Sequence, residues 1–514
     1  MLNPLREALG TGRFTYVVEL VASALSREAQ VLEVASGLAR LPQVAAGSIT
    51  SYAGGAMGHD PLRVAAAARA RGLVPNIHLT CVSQDRGGLR KTLEDMHALG
   101  LENVFALTGD YPKAGEQPPV FDLDSVQLVR LIDDLRRGGM PFHIAVAVSP
   151  FKYAEADCVY QYVKLEKKIA AGADVAITQV GWDARKFAEL KRYLDERGLR
   201  LPLLGNVYVL GPRTAERMAT GQPPGCWVSP ELLAAVRAES QAKDRGRRAR
   251  LERAAQTVAV LRGLGYAGAY IGGTHDPDQI AWVMRRAEEL APRWEALAAE
   301  LRYGDPGGHY LYADGQVDRR RLATWGAPTW PLRWLERMGL RPPRTPPANA
   351  RKRPGEPGAL LIRRLADRLG PRLLEGLGRV FAVTRDTRLR RALTAGLRAI
   401  DRWPPAAAAL ERMELAVKKP LFGCQACGNC VLGHLEYVCP QICPKQLRNG
   451  PCGGTHRGLC EVTPDKPCIW VAVYERAKGA GRLEGLKTYV PPPDRQLQGT
   501  SSWINYFLGR DSRP

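Results

Sequence analysis

The sequence predicts an α/β protein: a (β/α)8 TIM barrel, then a helical linker region, then a small cysteine-rich metal-binding domain. Three observations carry that expectation. Eight short apolar runs alternate with longer amphipathic stretches over the first 300 residues, and composition then shifts to glycine, proline and arginine. Eight of the eleven cysteines fall between Cys424 and Cys468.

The runs are Phe14–Leu20, Gly47–Tyr52, Asn76–Cys81, Asn103–Gly109, Phe142–Val148, Val175–Val180, Leu203–Leu210 and Gly268–Gly273. Between them, stretches such as Gly87–Gly100 and Asp124–Gly139 place apolar residues three and four apart, the spacing of a helix with one buried face. Eight such units in about 300 residues fit a closed parallel barrel. Alternation alone does not show closure, so a doubly wound open sheet is the alternative.

In a barrel, chemistry belongs at the carboxyl ends of the strands. Glu19, Thr50, His78 with Thr80, Asp110, and Thr178 with Gln179 fall there. Each alone reads as a turn or helix cap. Several polar groups from different strands on one rim read as a site. Cys81, Cys158 and Cys226 are scattered and read as small buried hydrophobes.

The expected organisation is a barrel over 1–300, a Pro/Arg-rich linker over 301–357, a helical region over 358–415, a cysteine-rich module over 416–495 and a tail over 496–514. The formal charge is +21, but residues 301–420 hold 25 Lys and Arg against 11 Asp and Glu, a net of +14. That surplus lies between the two chemical regions, as in Arg341–Pro357, and reads as a solvated linker. No nucleic-acid partner is expected. No run of eighteen apolar residues appears, and the first twenty residues lack the order of a secretory signal. A cytoplasmic chain with no membrane partner is expected, and there dense thiols hold metal rather than disulfides.

Cys424, Cys427, Cys430, Cys439, Cys443, Cys452, Cys460 and Cys468 make two sets of four, the number that zinc or a [4Fe-4S] cluster demands. The two-residue intervals of "GCQACGNC" and the Cys-Pro pairs at Cys439 and Cys443 favour two iron-sulfur clusters. "CQACG" also reads as a zinc knuckle, and the fourth cysteine comes nine residues after Cys430, later than in a ferredoxin. Both metals stay open.

"NIHLTC", then Leu99–Pro112 ("LGLENVFALTGDYP"), then Lys167–Gln179 ("KKIAAGADVAITQ") resemble, in order, the signature segments of the methylenetetrahydrofolate reductases. The resemblance covers nearly all of residues 1–295. It implies a flavin barrel, with FAD or FMN, that reduces 5,10-methylenetetrahydrofolate to 5-methyltetrahydrofolate. It aligns Glu19 with the general acid, Asp110 with the aspartate beside flavin and pterin, and Gln179 with a folate-contacting glutamine. Thr50, His78, the backbone of Leu107, Thr108 and Gly109, and Lys168 with Lys167 align with flavin-contacting positions. There are departures: "ELVAS" replaces an aromatic pair and two prolines, and Thr108 stands where the family has arginine. Ala215 and Ala219 stand where familiar members carry a glutamine and a phenylalanine that hold folate and nicotinamide.

Lys418–Gly454 with Gly458–Trp470 resembles the cysteine-rich companion module of certain of these reductases, which carries iron-sulfur clusters in some and zinc in others. That implies a module that relays electrons from a ferredoxin or similar carrier, or serves structurally, in a homo-oligomer. The rival readings are a folate or corrinoid methyltransferase barrel with thiolate zinc, and a non-catalytic folate-binding subunit with a zinc interaction module.

Overall fold

The computed structural model describes residues 3–23, 26–50, 52–53, 56–312 and 387–512. Most of the expected linker, and the helical pattern expected at 358–381, lie outside the described residues. The chain forms two compact units: Met1–Val317 with Asn449–Lys466, and Asp318–Arg448 with Pro467–Pro514. A segment that the sequence groups with the cysteine module thus belongs to the first unit.

The strands of the first unit are β1 (Thr15–Val21), β2 (Val44–Thr50), β3 (Tyr52–Ala53), β4 (Ala56–Met57), β5 (Pro75–Thr80), β6 (Asn103–Leu107), β7 (His143–Val148), β8 (Val175–Thr178), β9 (Leu203–Tyr208) and β10 (Gly268–Gly272). Eight of them close a barrel in the order β1-β10-β9-β8-β7-β6-β5-β2, and all eight expected runs supply its strands. The open sheet is thereby excluded. The antiparallel hairpin β3–β4 was not expected, because two-residue strands leave no periodic signal.

Closure is made at the seam between β1 and β10, where Thr15 pairs with Gly268 and Val18 with Ile271. A Cβ at Gly268 would run into the Thr15 carbonyl oxygen, so the seam needs glycine there. Inside, Val17, Ala46, Phe105, Ala145, Ile177, Leu204 and Tyr270 form one buried cluster, with small alanines leaving room for the two rings.

The helix Pro4–Gly10 was also not anticipated, and it plugs the amino-terminal mouth. Asn3 caps it and donates from Nδ2 to Asn103 Oδ1 at 2.8 Å, while Arg6 donates to the Phe142 carbonyl at 3.0 Å. Both partners sit where strands begin, so Leu5 enters the interior from below. Burying that side chain contributes about 1.5–3 kcal/mol. Only the carboxyl rim is left for a ligand.

Aspartates cap the rim helices: Asp60, Asp85, Asp124, Asp183 and Asp276 each accept amides from the first turn that follows. The second unit has its own core around Trp470, Val473, Tyr474 and Ile504. Its helices Arg388–Asp401, Pro404–Phe422, Ile469–Ala480 and Ser502–Leu508 frame it. Among the described residues, no helix is long and apolar enough to cross a membrane.

Gly268→Ala should destabilise the barrel by about 1–3 kcal/mol, the usual cost of forcing an extra carbon into packed structure. Gly10→Ala, where an added Cβ meets nothing within 4 Å, should be close to neutral. Chemical denaturation followed by far-UV circular dichroism checks the pair, and equal midpoints would refute the role of Gly268.

Candidate active site on the barrel rim

Glu19 occupies the carboxyl half of β1, with its Oε2 2.8 Å from where a Cβ of Gly272 would stand and the Tyr208 ring beside it. The carboxyl fits because β10 has glycine at that point. Burial pushes its pKa from 4.5 up to about 7. Glu19 is therefore about half protonated at neutral pH and largely protonated below it.

His78 on β5 lies 2.9 Å through Nε2 from Ser48 Oγ and 3.4 Å from the Tyr270 hydroxyl. Burial lowers its pKa to about 3, so the imidazole is neutral. Asn76 donates to the same Ser48 hydroxyl at 3.0 Å, which ties β2, β5 and β10 together beneath the rim. Thr50 is buried at the end of β2, and its carbonyl accepts from Ala22 at 2.9 Å.

Leu107 ends β6 and Thr108, Gly109 and Asp110 follow in the loop, all four half-buried. Gly109 has φ +89, and a Cβ there would press on Thr80 and Val82 at 3.1 Å, so glycine lets the loop turn tightly over β5. Asp110 and Glu19 both act on Cys226: burial first, and then their charges, push that thiol up to about 12. Cys226 Sγ stands 3.6 Å from Gln179 Oε1. Gln179 thus touches Cys226, while Asp110 and Glu19, from two other strand ends, lie near enough for their charges to act on the same thiol.

Lys167 and Lys168 are buried on the helix Glu155–Ala171. Lys168 donates to the Ala147 carbonyl at 2.6 Å. Lys167 has no hydrogen-bond partner among the described residues. Burial lowers both to about 7. The charge of Asp124 partly offsets that lowering for both.

Sequence reasoning passed over three contributors. Tyr208, at the end of β9, has its pKa raised to about 12 by burial and then by the Glu19 charge. Nothing but its strand-end position marks it. Cys226 is buried, as expected, yet it lies beside Gln179. Lys152, in the loop after β7, is buried and donates to the carbonyls of Gly453 and Thr455, the latter at 2.7 Å.

In the second unit, Cys424, Cys427, Cys430 and Cys439 line one cavity. The Ala426 amide donates to Cys424 Sγ at 3.5 Å, with Ala426 at φ 53 and Gly428 at φ 69, a knuckle turn that aims amides at sulfur. Lys418 lies 3.6 Å from Cys430 Sγ and is held by Glu414 at 2.6 Å and Ser502 at 2.8 Å. This donor set fits a thiolate-bound metal. Among the described residues, no group of three or more His, Cys, Asp or Glu side chains is already arranged to hold a metal ion. Cys443 and Cys468 are buried in the second unit, whereas Cys452 and Cys460 belong to the first.

Comparison with known proteins follows the same division. Residues 5–248 match the family model described as methylenetetrahydrofolate reductase, and residues 405–496 match the one described as methylene-tetrahydrofolate reductase C terminal. The chain joins a methylenetetrahydrofolate reductase domain to that family's C-terminal module. It is 33% identical over 137 residues to the 5,10-methylenetetrahydrofolate reductase of Pectobacterium carotovorum subsp. carotovorum, covering 26% of this chain and 44% of that protein. It is 30% identical over 149 residues to the probable methylenetetrahydrofolate reductase (NADPH) of Caenorhabditis elegans, covering 28% and 22%. The chain therefore spans less than half the length of these curated relatives. Among solved structures, a Clostridium thermocellum protein described as binding two copies of 5-methyl-5,6,7,8-tetrahydrofolic acid matches with a TM-score of 0.39 and 9% identity, over 56% of this chain and 99% of that one.

Difference infrared titration of wild type against Glu19→Gln should show a carboxyl band that disappears with a midpoint near pH 7. A midpoint at the ordinary value of 4.5 would mean that the rim does not desolvate Glu19.

Proposed function

We propose that the chain is a cytoplasmic, flavin-dependent enzyme that reduces 5,10-methylenetetrahydrofolate to 5-methyltetrahydrofolate. The observation that carries this reading is the Glu19 carboxyl, its pKa raised to about 7, on the same rim as Asp110 and Gln179. Opening the five-membered ring of the substrate requires a proton on the departing nitrogen, and Glu19, titrating at about 7, is poised to give one. The Asp110 carboxylate stabilises the cation that ring opening leaves, and the Gln179 amide orients the pterin. A reduced flavin, once bound, supplies the hydride. Lys167, with Lys168, would hold its phosphates, with His78, Thr50 and the Leu107–Gly109 backbone around the ring.

The four-thiol cavity of the second unit would hold one iron-sulfur cluster, and the count of eight cysteines matches two such clusters. Thiolate ligands and amide-to-sulfur hydrogen bonds serve zinc as well, so metal analysis decides. The reading of the electron donor is supported by Ala215, which is buried in an apolar cluster, and Ala219, which packs against it. Neither offers the ring or amide that holds nicotinamide in familiar members. A reduced ferredoxin or viologen should therefore reduce the flavin faster than NADH does.

Glu19→Gln should keep its flavin and lose folate reduction by a factor of about 100 or more, the low end for removing a general acid. The wild-type rate should fall as pH rises through about 7, because the active form is the protonated one. Turnover within a few-fold of wild type, or an unchanged pH profile in the variant, would remove Glu19 from the reaction. Anaerobically purified protein should contain about eight iron atoms, four per cluster, with absorption bleached by dithionite. About two zinc atoms and no iron would make the module structural.

A further inference from the structure

The segment Asn449–Lys466 crosses the barrel rim and is held by buried charges of the barrel itself. Asp124 uses one carboxylate oxygen to cap its own helix and the other to accept from the backbone and side-chain amides of Asn449, both at 3.0 Å. Lys164 donates to the Pro451 carbonyl at 3.0 Å, and Lys152 to Gly453 and Thr455. Asp157 accepts from the Gly458 amide at 2.8 Å. All four charged residues are almost wholly buried. Stripped of this segment, each would lose hydrogen bonds that compensate its burial, which is expensive for a charge.

The strap touches the proposed site at one point. Gly225 has φ +84, and its missing Cβ would lie 2.6 Å from the Gly453 carbonyl oxygen and 3.3 Å from Gln179 Nε2. The next residue is Cys226, 3.6 Å from Gln179 Oε1. Gly225 is thus in contact with the strap on one side and with the folate-orienting amide on the other.

Resting on the folate reading above, we infer that the strap Asn449–Lys466 forms one wall of the folate site and that Lys152 is a positioning residue for it. The strap sets where Gln179 and Cys226 stand, and Lys152 holds Gly453 against Gly225. Substrate affinity then depends on a segment outside the barrel sequence.

The test uses the full-length holoenzyme in two measurements. Lys152→Met and, separately, Gly225→Ala should raise KM for methylenetetrahydrofolate about tenfold or more, the low end for losing hydrogen bonds to a charge, with flavin content and viologen-driven flavin reduction within about twofold of wild type. In wild type, 5-methyltetrahydrofolate should slow hydrogen exchange of the amides from 450 to 458. KM within about twofold of wild type in a variant that keeps its flavin, or strap amides indifferent to 5-methyltetrahydrofolate, would overturn the inference. Wild-type enzyme that loads flavin but does not reduce the folate overturns the functional reading instead. A variant that fails to fold leaves the wild-type exchange measurement to decide.

Discussion

Closure of the barrel between β1 and β10 is the constraint on which the rest depends. The two strands are some 250 residues apart in sequence, and their pairing relies on Gly268 admitting the Thr15 carbonyl. Once they pair, Glu19 on β1 faces Gly272 on β10 and Tyr208 on β9. Glu19 is half-buried there, and desolvation holds its proton to about pH 7. An open sheet with the same strands would leave Glu19 at an edge, solvated and ionised. The acid is thus a product of topology rather than of any neighbouring residue.

The opposite mouth matters for the same reason. Leu5 and the helix that carries it pack into the amino-terminal end, beneath the hydrogen-bonded layer of Ser48, Asn76, His78 and Tyr270. Desolvation within that layer keeps His78 neutral. The rim above is polar because interior strand positions change from alanine and valine to Glu19, Gln179 and the Gly109 loop within one or two residues. Stability comes from below and chemistry is presented above, as the parallel barrel geometry requires.

Much of this was legible in the sequence. Eight apolar runs gave eight strands, because parallel strands buried on both faces read as continuous apolar segments. Glu19, Asp110 and Gln179 were visible as polar residues at strand ends, and the order of the motifs tied them to one rim. Tyr208 was not, since one tyrosine at a strand end carries no pattern. Lys152 and Lys164 were not either: a lysine in a loop or helix reads as solvated, and only the strap's carbonyls make burial tolerable. The strap itself was hidden by its composition. Its Cys-Gly-Gly run continues the cysteine pattern of the module, and sequence assigns a segment to its neighbours in the chain, whereas contacts some 300 residues away decide its place.

That displacement has a thermodynamic consequence. Asn449 follows Arg448 and Lys466 precedes Pro467, so both ends of the strap are bonded to the thiol-bearing unit. In small cysteine-rich domains, binding metal and folding are one free energy. Order gained in that unit lowers the entropy that the strap must lose on seating. Seating completes the hydrogen bonds of Asp124, Lys152, Asp157 and Lys164. If the strap also walls the folate site, linkage is reciprocal: metal occupancy raises affinity for folate, and bound folate raises the stability of the metal-bound module by the same factor. The fusion of the two units in one chain then does more than keep them at high local concentration. Under that reading the linkage runs through the eighteen residues Asn449–Lys466, whose two ends are bonded to the thiol-bearing unit.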